Sequence, residues 1–134
     1  MNIKTPIKII IIDDDQALQR VFTRILQKEG YQVETAETGS ESIEKIRKNN
    51  FDVALIDMKL PDINGLDLLP LLKEAKPSMV KIMITGYAII DGKTSALELG
   101  ADDFFKKPIQ PPVLLEAIKT HLKTKVKDAK GKPL

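Results

Sequence analysis

Residues 9–16 read IIIIDDDQ: four isoleucines followed without a break by Asp13, Asp14 and Asp15. An uninterrupted β-branched run is the pattern of a strand covered on both faces, as in a parallel sheet. Open parallel α/β sheets bind their ligands beyond the carboxyl ends of the strands. A buried strand that stops in three carboxylates therefore reads as one wall of a site. Further apolar runs follow outward from Ile7–Ile12, at Val53–Ile56 and Val80–Ile84, with weaker ones at Tyr31–Ala36 and Asp103–Phe105. Helical periods separate them. Ala17/Leu18, Val21/Phe22 and Ile25/Leu26 recur every four residues and stop at Gly30, a natural C-cap. Thr38-Gly39-Ser40-Glu41 has the form of a capping box opening a short helix that ends at Asn49-Asn50. Val113/Leu114, Ala117/Ile118 and His121/Leu122 mark the last helix. Five βα units joined by right-handed crossovers make a doubly wound parallel sheet.

Composition sets the outer bounds. The 134 residues suit one domain, and 43% hydrophobic with 30% charged residues is an ordinary soluble balance. A net charge of +2 gives no ground for nucleic-acid or membrane-surface binding. The absence of cysteine removes disulfides and thiolate metal sites and fits a reducing compartment. No apolar run approaches the roughly 20 residues of a membrane span, and MNIKTPIKIIIIDDD lacks a signal-peptide cleavage site, so a cytoplasmic location is expected. The lysine-rich segment from Lys123, KTKVKDAKGKPL, reads as loose. The domain is accordingly drawn over residues 1–126 with a flexible tail over 127–134. Three positions in two helices trouble the helical reading. Pro70 in GLDLLPLLKEA requires either a helix starting near Asp67 or a kink, and Gly92 and Lys93 weaken the first turns of the fourth helix.

Four strand ends carry the chemistry. Asp13 and Asp14 follow the first, Asp57 the strand FDVALID, Thr85 the third apolar run and Lys107 the fifth. Asp15 directly precedes a helix and suits an N-cap, and one helix needs one such cap. Unit charges about 4 Å apart repel by roughly 4 kcal/mol at an effective dielectric of 20, so three converging carboxylates demand cations. Lys107 neutralises one charge. A hard divalent ion with oxygen ligands cancels the remaining two, and Mg²⁺ suits carboxylates together with a phosphoryl group.

The stretches IIIIDDDQALQ, DMKLPDINGLDLL, MITGY and GADDFFKKPI, in this order and spacing, are similar to the receiver domains of two-component response regulators over Ile7 to Leu122. The resemblance implies a flavodoxin-like fold with strand order 2-1-3-4-5. It implies that Asp57 accepts a phosphoryl group from a sensor histidine kinase or phosphotransfer protein. Asp14, Asp57 and the backbone carbonyl of Lys59 would ligate Mg²⁺ (Mn²⁺ as a substitute), with Asp13 acting largely through metal-bound water. Thr85 would hydrogen-bond the phosphoryl group, and Lys107 would pair with it across a cis peptide to Pro108. Phe104 holds the aromatic switch position, without the hydroxyl of a tyrosine. Lys59 and Tyr87 would flank the line of water attack and gate dephosphorylation. The fourth helix, fifth strand and fifth helix would form the face that signals to a partner. Such a domain is no enzyme beyond its own phosphorylation and dephosphorylation.

Two other classes fit less well. A haloacid-dehalogenase-like Mg²⁺ phosphatase would use Asp13 and Asp15 and need a flap after the first strand, where a helix follows at once. A flavin mononucleotide binder would need a hydroxyl- and glycine-rich phosphate loop in place of DDDQ.

Overall fold

The computed structural model describes residues 6–86 and 92–129. Five strands, β1 (Lys8–Ile12), β2 (Gln32–Ala36), β3 (Val53–Ile56), β4 (Val80–Thr85) and β5 (Asp103–Lys106), alternate with five helices. These are α1 (Gln16–Lys28), α2 (Gly39–Lys48), α3 (Gly65–Ala75), α4 (Gly92–Glu98) and α5 (Pro111–Ala129). All pairings are parallel and the order is β2-β1-β3-β4-β5, the flavodoxin-like arrangement. The order reverses at β1, which lies between β2 and β3, so the crevice opens beyond the ends of β1 and β3.

The isoleucine run explains this centre. Ile9 and Ile11 pack on one face of the sheet with Phe22, Leu26, Leu114 and Ile118, and Ile10 and Ile12 pack on the other with Ile46, Leu68 and Leu72. All four isoleucines are at most 1% exposed. Burying each contributes about 2 kcal/mol, which holds the backbone leading into Asp13 firmly in place. Register carries β3 along with it: Ile12 pairs with Ile56, and Asp57 N–H donates to the Ile12 carbonyl at 2.9 Å.

Local signals explain the helix ends. Asp15 caps α1, its Oδ1 accepting from Leu18 N–H at 3.1 Å. Gly30, just beyond, takes a φ of +89°, open to glycine at no steric cost. Thr38 caps α2 through Glu41 N–H, but Glu41 reaches back to Glu37 N–H and not to that of Thr38, one residue earlier than a reciprocal box.

Two sequence expectations need correction. Helix α3 begins at Gly65, not near Asp67, because Asn64 caps it by accepting from Leu66 N–H at 2.8 Å. Pro70 thus sits inside the helix, on its exposed side, where water can take the carbonyl that the missing N–H leaves. Helix α5 runs on through Lys123 to Ala129, with Lys125 Nζ 3.5 Å from Asp102 Oδ1, so the segment read as loose is helical throughout its described length. His121, on the same helix, is half-buried with Nε2 2.9 Å from Asp103 Oδ2. Strand β4 also contains a buried lysine. Lys81 Nζ donates to the Met79 carbonyl at 2.7 Å and lies 4.0 Å from Asp102, while burial pushes its ammonium below the usual range. Among the described residues no helix is long and apolar enough to cross a membrane.

Candidate functional site

The connection from β1 to α1 is three residues long, so Asp13 to Asp15 are placed by the strand behind them and the helix ahead. Asp13 is buried, 3% exposed. Its Oδ1 accepts from Asp15 N–H at 2.9 Å, and its backbone carbonyl accepts from the buried side-chain amide of Gln19 on α1. Asp14 is exposed. Asp57 follows β3 directly and is buried with its neighbour Met58. Asp13, Asp14 and Asp57 each offer a carboxylate oxygen within 4.8 Å of the other two. The remaining side of the cleft holds Thr85, fully buried at the end of β4, and Lys107. The Lys107 N–H donates to the Thr85 carbonyl at 2.8 Å, and the Lys107–Pro108 peptide is cis.

Charge dominates the cleft. Lys107 Nζ lies 2.9 Å from Asp13 Oδ2 and 3.3 Å from Asp57 Oδ1, bridging the two. Burial works against its ammonium, but the hydrogen bond and charge of Asp13, followed by Asp57, outweigh this and hold its pKa above the usual value. The Asp57 carboxyl is pushed up, chiefly by burial and then by Asp13, with Lys107 and the Met58 N–H pulling the other way. Three carboxylates against one ammonium leave two negative charges. The all-oxygen donor set and this charge fit a hard divalent cation. The arrangement can therefore hold such an ion beside a buried carboxylate and stabilise an incoming anionic group.

The loop between β3 and α3 closes tightly on this cleft. Lys59 and Asn64 form an antiparallel bridge at its base, and Gly65 N–H donates to the Met58 carbonyl at 2.5 Å. A Cβ on Gly65 would come closer than 3.0 Å to the Asp57 carbonyl and Met58 Cα, so only glycine fits. Phe104, on β5, is half-buried against the core layer that holds Met83 and Ala96. Of the residues singled out from sequence, Asp13, Asp14, Asp57 and Lys107 come together, and Thr85 reaches them through the Lys107 backbone. Lys59 is exposed on the loop. Tyr87 lies outside the described residues. Two supporting residues were missed by sequence reasoning. Gln19 carries no local signal, whereas Asp62 stands in the DMKLPDING stretch and its role is long-range.

Residues 9–119 match the family of response regulator receiver domains, and the chain belongs to that family. It is 31% identical over 118 residues to sporulation initiation phosphotransferase F of Bacillus subtilis, a match covering 88% of this chain and 95% of that protein. Its structure is similar to a CheY-like response regulator receiver domain from Methanospirillum hungatei JF-1, with a TM-score of 0.89 and 42% identity over 92% of this chain and 99% of the other. It is also similar to a Burkholderia pseudomallei response regulator with a phosphorylated aspartic acid, calcium ion and citrate, at a TM-score of 0.81 and 26% identity, covering 96% and 76% of the two chains. The chain spans only 24% to 51% of the length of the curated transcriptional regulators it matches. A haloacid-dehalogenase-like phosphatase finds no support, since only three residues separate β1 from α1 and leave no room for a flap.

Proposed function

We propose that the protein is a phosphoryl-operated switch in which Asp57 is the phosphoacceptor. The supporting observation is the position of Asp57: buried at the end of β3, within 4.8 Å of two further carboxylates and 3.3 Å from an ammonium. A phosphohistidine of a sensor kinase or phosphotransfer protein supplies the phosphoryl group. The P–N bond breaks as an Asp57 oxygen forms the P–O bond. Phosphoryl transfer asks the protein for in-line positioning and charge neutralisation more than for covalent chemistry.

Asp13, Asp14, Asp57 and the Lys59 carbonyl would hold Mg²⁺, or Mn²⁺ in its place. When bound, the ion supplies charge neutralisation for the incoming oxygens. Lys107 turns from bridging Asp13 and Asp57 to pairing with the phosphoryl group, and Thr85 donates its hydroxyl. Drawing Thr85 toward the new anion vacates space into which Phe104 turns by packing alone. That movement carries the signal to an output partner on the α4-β5-α5 face. By the family resemblance, Lys59 and Tyr87 would gate water and set the lifetime of the acyl phosphate. The reading fits a domain over residues 1–126 working in the cytoplasm, with the activity of any longer regulator decided by what it is joined to. The phosphorylated aspartate of the Burkholderia regulator supports the same chemistry here.

Incubation with acetyl phosphate and Mg²⁺ tests this. Wild type should gain one acid-labile phosphoryl group and Asp57→Asn none, because an amide cannot form the acyl phosphate. Label persisting in the variant would reject Asp57 as the acceptor.

A further inference from the structure

The tip of the β3–α3 loop is held by a helix that has no direct part in the site. Asp62 Oδ1 accepts from Gly39 N–H at 2.9 Å and Oδ2 from Ser40 N–H at 3.0 Å. These are the first two N–H groups of α2, which no intrahelical carbonyl can reach, and the third is taken by Thr38. The hydrogen bonds from Gly39 and then Ser40 hold the Asp62 carboxyl below the usual carboxylate range. Beside them, Ile63 Cγ2 fills the place where a Cβ on Gly39 would stand. Glycine at the start of α2 thus provides the seat for the neighbouring loop residue. At the other end of the loop, Leu60 is buried in the core and Lys59 bridges Asn64. Lys59 therefore stands at the base of a turn, closed by its bridge to Asn64, whose tip is clamped to α2.

We propose that Asp62 is a positioning residue for the cation site. By clamping the loop tip to the start of α2, it fixes the backbone at Lys59, whose carbonyl is assigned to the metal. This rests on the phosphoacceptor reading above. Metal ligands depend on the groups that orient them, and losing such a partner typically weakens affinity about 10- to 100-fold.

The test uses the full chain as wild type, Asp14→Ala, Asp62→Ala, Gly39→Ala and Thr38→Ala. Mg²⁺ affinity is read by calorimetry, and amide hydrogen exchange across residues 58–65 is read in metal-free buffer. Asp62→Ala should bind Mg²⁺ about tenfold more weakly and exchange its loop amides faster. Gly39→Ala should do the same with every charge unchanged, since its methyl displaces Ile63; it decides the matter if Asp62→Ala does not fold. Thr38→Ala removes the other cap of the same helix, so its Mg²⁺ affinity should match wild type. Equal weakening in Thr38→Ala and Asp62→Ala would show that helix stability alone is at work and overturn the positioning role. Wild-type affinity in Asp62→Ala and Gly39→Ala, with Asp14→Ala weakened, overturns the clamp and leaves the phosphoacceptor reading intact. Wild-type affinity in Asp14→Ala removes the metal site itself, and the positioning role with it.

Discussion

Replacing Asp57 by asparagine should make the metal-free protein more stable at neutral pH. In the cleft, Asp57 lies within 4.8 Å of oxygens of both Asp13 and Asp14, and 3.3 Å from Lys107 Nζ. At an effective dielectric of about 20, the repulsion from buried Asp13 is at least about 3.5 kcal/mol and the Lys107 attraction about 5 kcal/mol, while exposed Asp14 is screened by solvent. Charge alone therefore does not disfavour ionised Asp57; burial is the largest influence and, with Asp13, outweighs Lys107. The amide of Asp57→Asn keeps the shape and loses the buried charge, so unfolding should require on the order of 1 kcal/mol more, a gain of a few degrees in Tm. The pH dependence has a definite sign. The carboxyl is raised above its ordinary value of 3.8, so the folded chain holds its proton more tightly than the unfolded chain. Below that value both states are protonated and the penalty is absent. It develops as pH rises through the raised value, where the folded chain must ionise against burial and Asp13. Chemical denaturation with a chelator present, at about pH 4 and about pH 7, should show the advantage of the variant only at the higher pH. Adding Mg²⁺ should narrow the gap by stabilising wild type more. A variant no more stable than wild type at neutral pH, or equally favoured at both, would refute the electrostatic account.

The carboxylates flanking the first strand should separate cleanly. Asp15→Ala should cost about 1 kcal/mol by releasing the α1 cap yet leave Mg²⁺ affinity nearly intact, whereas Asp14→Ala should do the reverse; calorimetry and thermal melts distinguish them. For the lifetime of the phosphorylated form, Lys59→Ala combined with Tyr87→Ala should speed decay in excess Mg²⁺ by opening the water's approach, and unchanged or slower decay would reject the gating idea.

How much of this was legible in the sequence depends on the range of the interaction. Buried parallel strands announce themselves because both faces are apolar, so IIII, VALI and VKIMIT located the sheet, and Asp, Thr and Lys at their ends located the cleft. Caps are local too, which is why Asp15 and Thr38 could be assigned. The start of α3 stayed open because Pro70 allowed either a helix from near Asp67 or a kink, and the Asn64 cap and the exposed position of Pro70 decide it. The last turns of α5 look like solvated lysine-rich chain, and only the distant Asp102 shows that Lys125 has a partner. The pairs Asp103–His121 and Asp62–Gly39 span 18 and 23 residues and leave no periodic trace. Lys81 was hidden inside an apolar run, and its carboxylate neighbour Asp102 stands just ahead of a different strand.

Gly65 acts as a ruler on the loop. Its N–H closes on the Met58 carbonyl while its bare Cα lies against the Asp57 carbonyl, so the number of residues between acceptor and glycine is fixed by steric contact at both ends. One inserted residue would leave either the bridge between Lys59 and Asn64 or the docking of α3 out of step, and one deletion would pull Lys59 away from the cleft. Loops at the opposite edge of the sheet face no such double contact at Asp57. Length variation should therefore be tolerated there and excluded here, which makes this short loop the poorest place in the chain for an inserted tag or reporter.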